Sequence, residues 1–277
     1  MEKKEIIGID VSKATLDVYI LSKDYHFKVD NSFKGHTKLC KIVNRKLNCE
    51  YSQQYYCFED TGKYSLPLCV YFNGLSYNFI LLSSLDIKRS MGIVRGKNDK
   101  KDAQMISKYA WQRRDELTPS TLPAIEIIQV KQLCSLRTKL IKQRTSNLNA
   151  LKDIDNYLIQ KSKSLIKVTQ LALVNELKRH IALVDKEIED VILKSTLLKT
   201  NYQLLLTVSG IGKVLAAYFI GYTHNFTRFK DPRKFCCFSG IAPFEHSSGS
   251  SVRGRTRVNN LANKRIKTLL NMAAMSL

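Results

Sequence analysis

Ile6-Ile7-Gly8-Ile9-Asp10-Val11-Ser12-Lys13 is an apolar run carrying one carboxylate near its end, and its reading decides the fold. Branched apolar residues around a single glycine predict a buried strand, and an acid embedded there is costly without a partner. A second run, Tyr55-Tyr56-Cys57-Phe58-Glu59, also closes on an acid. Asp99 and Asp102 stand three apart at the start of a helical stretch, so they face the same side. Asp10, Glu59, Asp99 and Asp102 are therefore the candidate catalytic and metal-ligating acids. Mg²⁺ takes hard oxygen ligands in an octahedral cage, with Mn²⁺ as an alternative. Two such ions about 4 Å apart can activate a nucleophile and stabilise a leaving oxygen. The plainer reading of Asp99 and Asp102 is that acids favour a helix N-terminus. Asp17 and Asp60 are expected to be solvated or local hydrogen-bonding groups.

Working outward, Glu5–Asp10, Leu16–Leu21 and His26–Val29 read as three short strands with turns at Ser12-Lys13 and Ser22-Lys23-Asp24. Helical spacing over Gly35–Leu47 precedes the strand that ends at Glu59. A helix through Leu66–Phe72, a strand at Tyr77–Leu82, a basic loop from Lys88 to Lys101 and a helix over Asp99–Trp111 follow. Three strands and then alternating helices and strands is the order of an α/β RNase H-like (RuvC-like) domain, expected over residues 1–115. An Asp after a Gly-bearing strand also occurs in sugar-kinase-like ATPases, but the chain has no second glycine-rich phosphate loop.

Residues 116–200 are expected to form a helical coiled-coil connector. Val174, Leu177, Ile181, Val184, Ile188 and Val191 alternate spacings of three and four, an a/d seam. An antiparallel hairpin within one subunit and a dimerisation arm both fit that seam. Residues 201–277 are expected to be mainly α. Thr207-Val208-Ser209-Gly210-Ile211-Gly212-Lys213 joins two apolar helices as a helix-hairpin-helix-like turn. Gly210, Gly212 and Lys213 would let a phosphate approach a helix N-terminus, unless the turn only packs two helices tightly.

Charge sets the partner. Lys and Arg number 45 against 24 acids, a formal net charge of +21, which points to nucleic acid before a membrane surface. No apolar stretch approaches the roughly 20 residues of a membrane span, and the N-terminus has no signal-peptide character, so the expected location is the cytoplasm. Seven scattered cysteines without a C-x-x-C pair, and five histidines that do not cluster near them, argue against a zinc site, and Cys236 and Cys237 are expected to pack as reduced thiols. From residue 225 onward ten Lys and Arg stand against two acids. There the serine-rich segment Ser247-Ser248-Gly249-Ser250-Ser251 runs into Arg253, Arg255, Arg257, Lys264, Arg265 and Lys267. Such a segment is ordinarily a flexible loop. A serine among guanidinium groups can also attack a phosphodiester. The cations, with Lys97, Lys100 and Lys101 of the basic loop, can equally clamp a DNA or RNA backbone.

These residues also carry a family resemblance. Gly8-Ile9-Asp10-Val11-Ser12-Lys13, Glu59-x-Thr61-Gly62 and Lys97-x-Asp99-Lys100-x-Asp102-Ala103 resemble the RuvC-like domain of the insertion-sequence "one-ten" family transposases. Ser209-Gly210-Ile211-Gly212, Phe229-x-x-Pro232-x-x-Phe235, Ser239-Gly240-Ile241-Ala242-Pro243 and Ser248-Gly249 resemble that family's C-terminal transposase domain, in the same order. The resemblance implies a site-specific DNA recombinase of an insertion sequence, in a bacterial or archaeal cell and associated with the nucleoid. It would be guided by a bridge RNA that pairs with donor and target DNA. It also implies that Asp10, Glu59, Asp99 and Asp102 hold Mg²⁺, and that Ser248, with Ser247 its neighbour, forms a covalent phosphoserine link to DNA. Composite sites shared between subunits of a dimer or tetramer are implied too, giving the seam a task. Two departures stand out. Family members often continue a few dozen residues further, and their usual glycine after the basic segment is Ala262 here. A hydrolytic RuvC-like nuclease of the junction-resolvase type, and a truncated non-catalytic copy that binds nucleic acid, are the rival readings.

Overall fold

The strand bearing Asp10 forms where its sequence placed it. In the computed structural model, β1 (Glu5–Val11) is buried along most of its length. Residues 4–90, 98–157, 160–248, 252–258 and 260–276 are described, with backbone alone for 153–157, 160–164, 246–248, 252 and 253. β1 is the central strand of a five-stranded sheet. It pairs antiparallel with β2 (Thr15–Ile20), which pairs antiparallel with β3 (Tyr25–Asp30). After α1 (Phe33–Leu47) the chain returns as β4 (Gln54–Glu59), parallel to β1. After α2 (Leu66–Gly74) it adds β5 (Asn78–Leu82), parallel to β4. The order β3-β2-β1-β4-β5, three antiparallel strands followed by parallel ones, is the mixed sheet of an RNase H-like fold.

Strand alternation divides the core between the two faces. Ile7, Ile9 and Val11 of β1 join Leu39, Val43 and Leu47 of α1 and Leu68 and Phe72 of α2 in one apolar cluster. Ile6 faces the other way, with Cys57, Ile80 and Leu82, under α3 (Ser84–Ser90) and α4 (Asp99–Gln112). Lys88 and Arg89 therefore lie in a helix instead of the expected basic loop, whose residues 91–97 fall outside the described ones. Gly8 sets how closely α4 approaches. A Cβ on it would sit 2.3 Å from the Ala103 carbonyl oxygen and 2.6 Å from the Ser107 amide. With no side chain there, the α4 backbone rests directly on β1, and its first turn comes down beside Asp10.

Contacts divide the chain into residues 1–122 and 123–277. In the second unit α5 (Ile125–Tyr157) and α6 (Gln160–Lys194) run antiparallel. Ile127, Val130 and Cys134 of α5 share one cluster with Ile188, Val191 and Ile192 of α6. Arg137 of α5 pairs with Asp185 of α6. Val174, Ile181, Ile188 and Val191 are buried within the single chain, so much of the a/d seam is filled by the hairpin itself. The same cluster continues into α7 (Thr196–Leu206) and α8 (Lys213–Thr223). Then come α9 (Pro232–Ser239), a hairpin of β6 (Pro243–Ser248) and β7 (Val252–Val258), and α10 (Lys264–Ala274). Ser247 and Ser248 thus lie in a paired strand, where a flexible loop is the ordinary reading, and residues 249–251 lie outside the described ones. Cys236 and Cys237 are free thiols as expected, but Cys236 is only half-buried and Cys237 is exposed, so the expected packing fails for Cys237. Among the described residues, no helix is long and apolar enough to cross a membrane.

Candidate active site

Asp10 leaves the sheet on the α4 side, and two acids of α4 meet it there. Asn98 caps the helix, its Oδ1 accepting from the Lys100 amide at 3.0 Å, which fixes Asp99 and Asp102 in the first turn. Ligand oxygens of Asp10, Asp99 and Asp102 all lie within 4.8 Å of one another. Burial and the charges of Asp102, Asp99, Glu59 and Asp17 push the Asp10 carboxyl up to about 6. Like charges so close resist ionising together unless a cation joins them. Three carboxylates with no thiol or imidazole among them are a hard-oxygen donor set, which fits a divalent ion such as Mg²⁺. Glu59, at the end of the neighbouring strand β4, stands beside this trio and outside it. Its Oε2 accepts from the Ser84 hydroxyl at 2.6 Å.

Asp17 is the site's unexpected member. It pairs in register with Asp10 across β1 and β2 and is buried, so of the two expectations it is the hydrogen-bonding group and not the solvated one. Two side chains of β3 hold it: His26 Nε2 at 2.9 Å and Lys28 Nζ at 3.0 Å. Lys28 Nζ also lies 3.7 Å from Asp99, so one ammonium bridges the buried acid and the exposed ligand. Tyr19 of β2 accepts a hydrogen bond from Gln104 Nε2 at 2.9 Å, pinning α4 to the same strand. The available signal for Asp17 was its position, an acid inside the apolar strand Thr15-Leu16-Asp17-Val18-Tyr19-Ile20 and opposite Asp10.

The basic residues have divergent placements. Lys100 and Lys101 are exposed beside the carboxylates, and Lys97 lies outside the described residues. Gly210 has φ +79°, a left-handed turn that favours glycine. Lys213, at the start of α8, gives its ammonium to Glu189 at 2.7 Å. Arg265 is half-buried with its guanidinium over the Tyr218 ring, 5.6 Å from the centroid, which makes it part of the helical core. Arg255, Arg257 and Lys264 are exposed, and Lys267 is half-buried. Ser248 is the last residue of β6, paired with Val252, and Ser247 pairs with Arg253; the side chains of all four lie outside the described ones.

Two family models match the chain. The DEDD transposase family of IS110 elements, described as "Transposase", covers residues 7–154. The "Transposase IS116/IS110/IS902 family" covers residues 202–277. The chain belongs to the IS110 family of transposases. The first match spans the RNase H-like sheet and all four acids, and the second spans the hairpin with Ser248. Among relatives, the "Pilin gene-inverting protein" of Moraxella lacunata is 24% identical over 280 residues, covering 98% of this chain and 82% of its own length. Its counterpart in Moraxella bovis matches to the same extent. An IS110-family protein is a DNA recombinase, and its substrate explains the excess of positive charge.

Proposed function

We propose that this IS110-family protein is a Mg²⁺-dependent, RNA-guided DNA recombinase that cuts through a covalent phosphoserine at Ser248. The observation that carries the reading is the Asp10, Asp99 and Asp102 trio, whose oxygens converge within 4.8 Å inside a domain matched by a transposase family. A bound divalent ion would polarise the scissile phosphate and offset its charge. Asp10 and Asp102 would hold it from the strand and helix sides, Asp99 would close the donor set, and Glu59, kept close by Ser84, would join or orient it. Ser248 would attack phosphorus through its hydroxyl oxygen, releasing a sugar hydroxyl that takes up a proton. Attack by a hydroxyl of the partner strand then restores a phosphodiester and frees the serine. Arg255 and Arg257, exposed on β7, would balance charge on the phosphate under attack. The same reactions at two sites would insert an element or invert a segment, as the relatives' name describes for a pilin gene.

Purified protein, its co-purifying RNA and donor and target DNA test this directly. Wild-type protein should yield strand-exchanged product only with a divalent ion, and Asp10→Ala should bind both nucleic acids yet yield none. Ser248→Ala should lose exchange while Ser247→Ala keeps most of it. DNA cutting that persists in Ser248→Ala would instead assign a hydrolytic nuclease. A wild-type protein that binds but never cuts would assign a non-catalytic copy.

A further inference from the structure

Helix α1 carries a charge pattern that the carboxylate site does not use. Lys34, Lys38, Lys41 and Arg45 recur at spacings of four, three and four, which places them on one side of the helix, and all four are exposed. The opposite side, with Leu39, Cys40, Val43 and Leu47, is buried against the sheet. The helix contains no acid. Among the described residues no carboxylate lies within ion-pair distance of the four, and none stacks on a ring, whereas nearby Lys46 lies 4.1 Å over Tyr25. The cations rise by about 6, 4.5 and 6 Å along the axis, a row about 16 Å long. Exposed aromatic rings stand at both ends: Phe33 opens the helix, and Tyr51 is tied to Asn44 of its last turns by a 3.3 Å hydrogen bond. Unpaired cations in a row with aromatic faces at its ends is the arrangement that tracks a single nucleic-acid strand.

Its place in the fold separates this row from the chemistry. α1 covers the sheet face lined by Ile7, Ile9 and Val11, and Asp10 emerges on the other face under α4. A strand held on α1 is therefore kept away from the carboxylates of its own unit. We propose that the exposed side of α1 is an RNA-docking surface that grips the phosphates of a strand which is bound and not cut. The choice of RNA rests on the guided-recombinase reading, because DNA must reach Asp10 and a guide must not.

The test uses the full chain carrying Lys34→Gln, Lys38→Gln, Lys41→Gln and Arg45→Gln together. Glutamine keeps helix propensity, and circular dichroism checks the fold. Fluorescence anisotropy measures binding of a mixed-sequence single-stranded RNA, and of duplex DNA, the form that is cut, over a salt series. If all four cations meet phosphates, the slope of log K against log salt for RNA should fall by about 3, at about 0.7 per contact. The slope for DNA should stay near the wild-type value. An unchanged RNA slope, or an equal loss for DNA, overturns the proposal. Metal-dependent DNA cutting, followed in parallel, keeps the two readings apart. A lost RNA slope in a protein that never cuts supports the surface and sinks the catalytic reading, and an intact slope in a protein that recombines does the reverse.

Discussion

Asp10 is where burial and like charge meet, and its behaviour should report on the whole cluster. Its carboxyl is raised from 3.8 to about 6, so in the metal-free protein ionising it costs stability. The sign follows from linkage: the folded state holds this proton more tightly than the unfolded chain, so the contribution is most favourable below about pH 4. It is lost as pH rises through about 6. Asp10→Asn should therefore stabilise metal-free protein at pH 7 by about 1 kcal/mol after screening at a half-exposed group, seen as a higher melting temperature, and flatten that part of the pH profile. The same substitution should abolish the upward shift that Mg²⁺ or Mn²⁺ gives the wild type. Calorimetric metal affinity should weaken as pH falls below about 6, because protons compete for the ligand. Lys28 gives a second check. It is a tethered cation 3.7 Å from Asp99, so Lys28→Met should bind the divalent ion a few-fold more tightly than wild type, with Lys28→Arg nearer to it. Weaker binding in Lys28→Met would mean that the lysine positions Asp99 and does not compete for it.

At the scale of elements, the decisive contact is α4 on β1. Gly8→Ala would drive a methyl carbon to 2.3 Å from a backbone oxygen, so α4 has to lift. A loss of about 3 kcal/mol in urea unfolding is expected, together with weaker metal binding, since Asp99 and Asp102 travel with the helix. Unchanged metal affinity in a destabilised Gly8→Ala protein would show that the acids do not depend on this packing. In the second unit, Ile188 is 5% exposed between α5, α6 and α8. Ile188→Ala should cost about 2–4 kcal/mol, independent of protein concentration, because the seam residue is buried inside one chain. How legible each element was depended on its pattern. Continuous apolar runs closing on an acid marked β1 and β4, and heptad spacing marked α6. The spacing carried no information about which helix fills the seam. β6 and β7 were hidden because Ser247, Ser248 and Arg253 have turn-like or charged chemistry and little β-propensity. Their strand character comes from pairing with each other, a contact the local sequence does not advertise.

Across the whole molecule, the positions of the acids along the chain were readable, and their partners were not. Asp10, Glu59, Asp99 and Asp102 each sat at the end of an element with a clear period, so the topology brought them to one end of the sheet. Asp17, His26, Lys28 and Ser84 entered only through register and side-chain reach, which depend on how β2 and β3 pair and how α3 turns. Likewise, net charge of +21 announced nucleic acid but not which cations are free to meet it. Lys213 bonds Glu189 and Arg265 lies on Tyr218, whereas the unheralded row on α1 is open. Reversing Lys213 should therefore change stability more than the salt dependence of DNA binding, measured by urea unfolding and by anisotropy.

Attack by Ser248 on a phosphate activated by the carboxylates would leave the protein joined to DNA, so the decisive experiment traps the protein on cleaved DNA. Wild-type protein, its co-purified RNA, Mg²⁺ and labelled donor DNA would be quenched in denaturant, digested with protease and mapped by mass spectrometry. A DNA phosphate is expected on the peptide containing Ser248, absent from Ser248→Ala and from Asp10→Ala. Cleaved DNA that carries no protein, produced equally by wild type and Ser248→Ala, would contradict attack by Ser248.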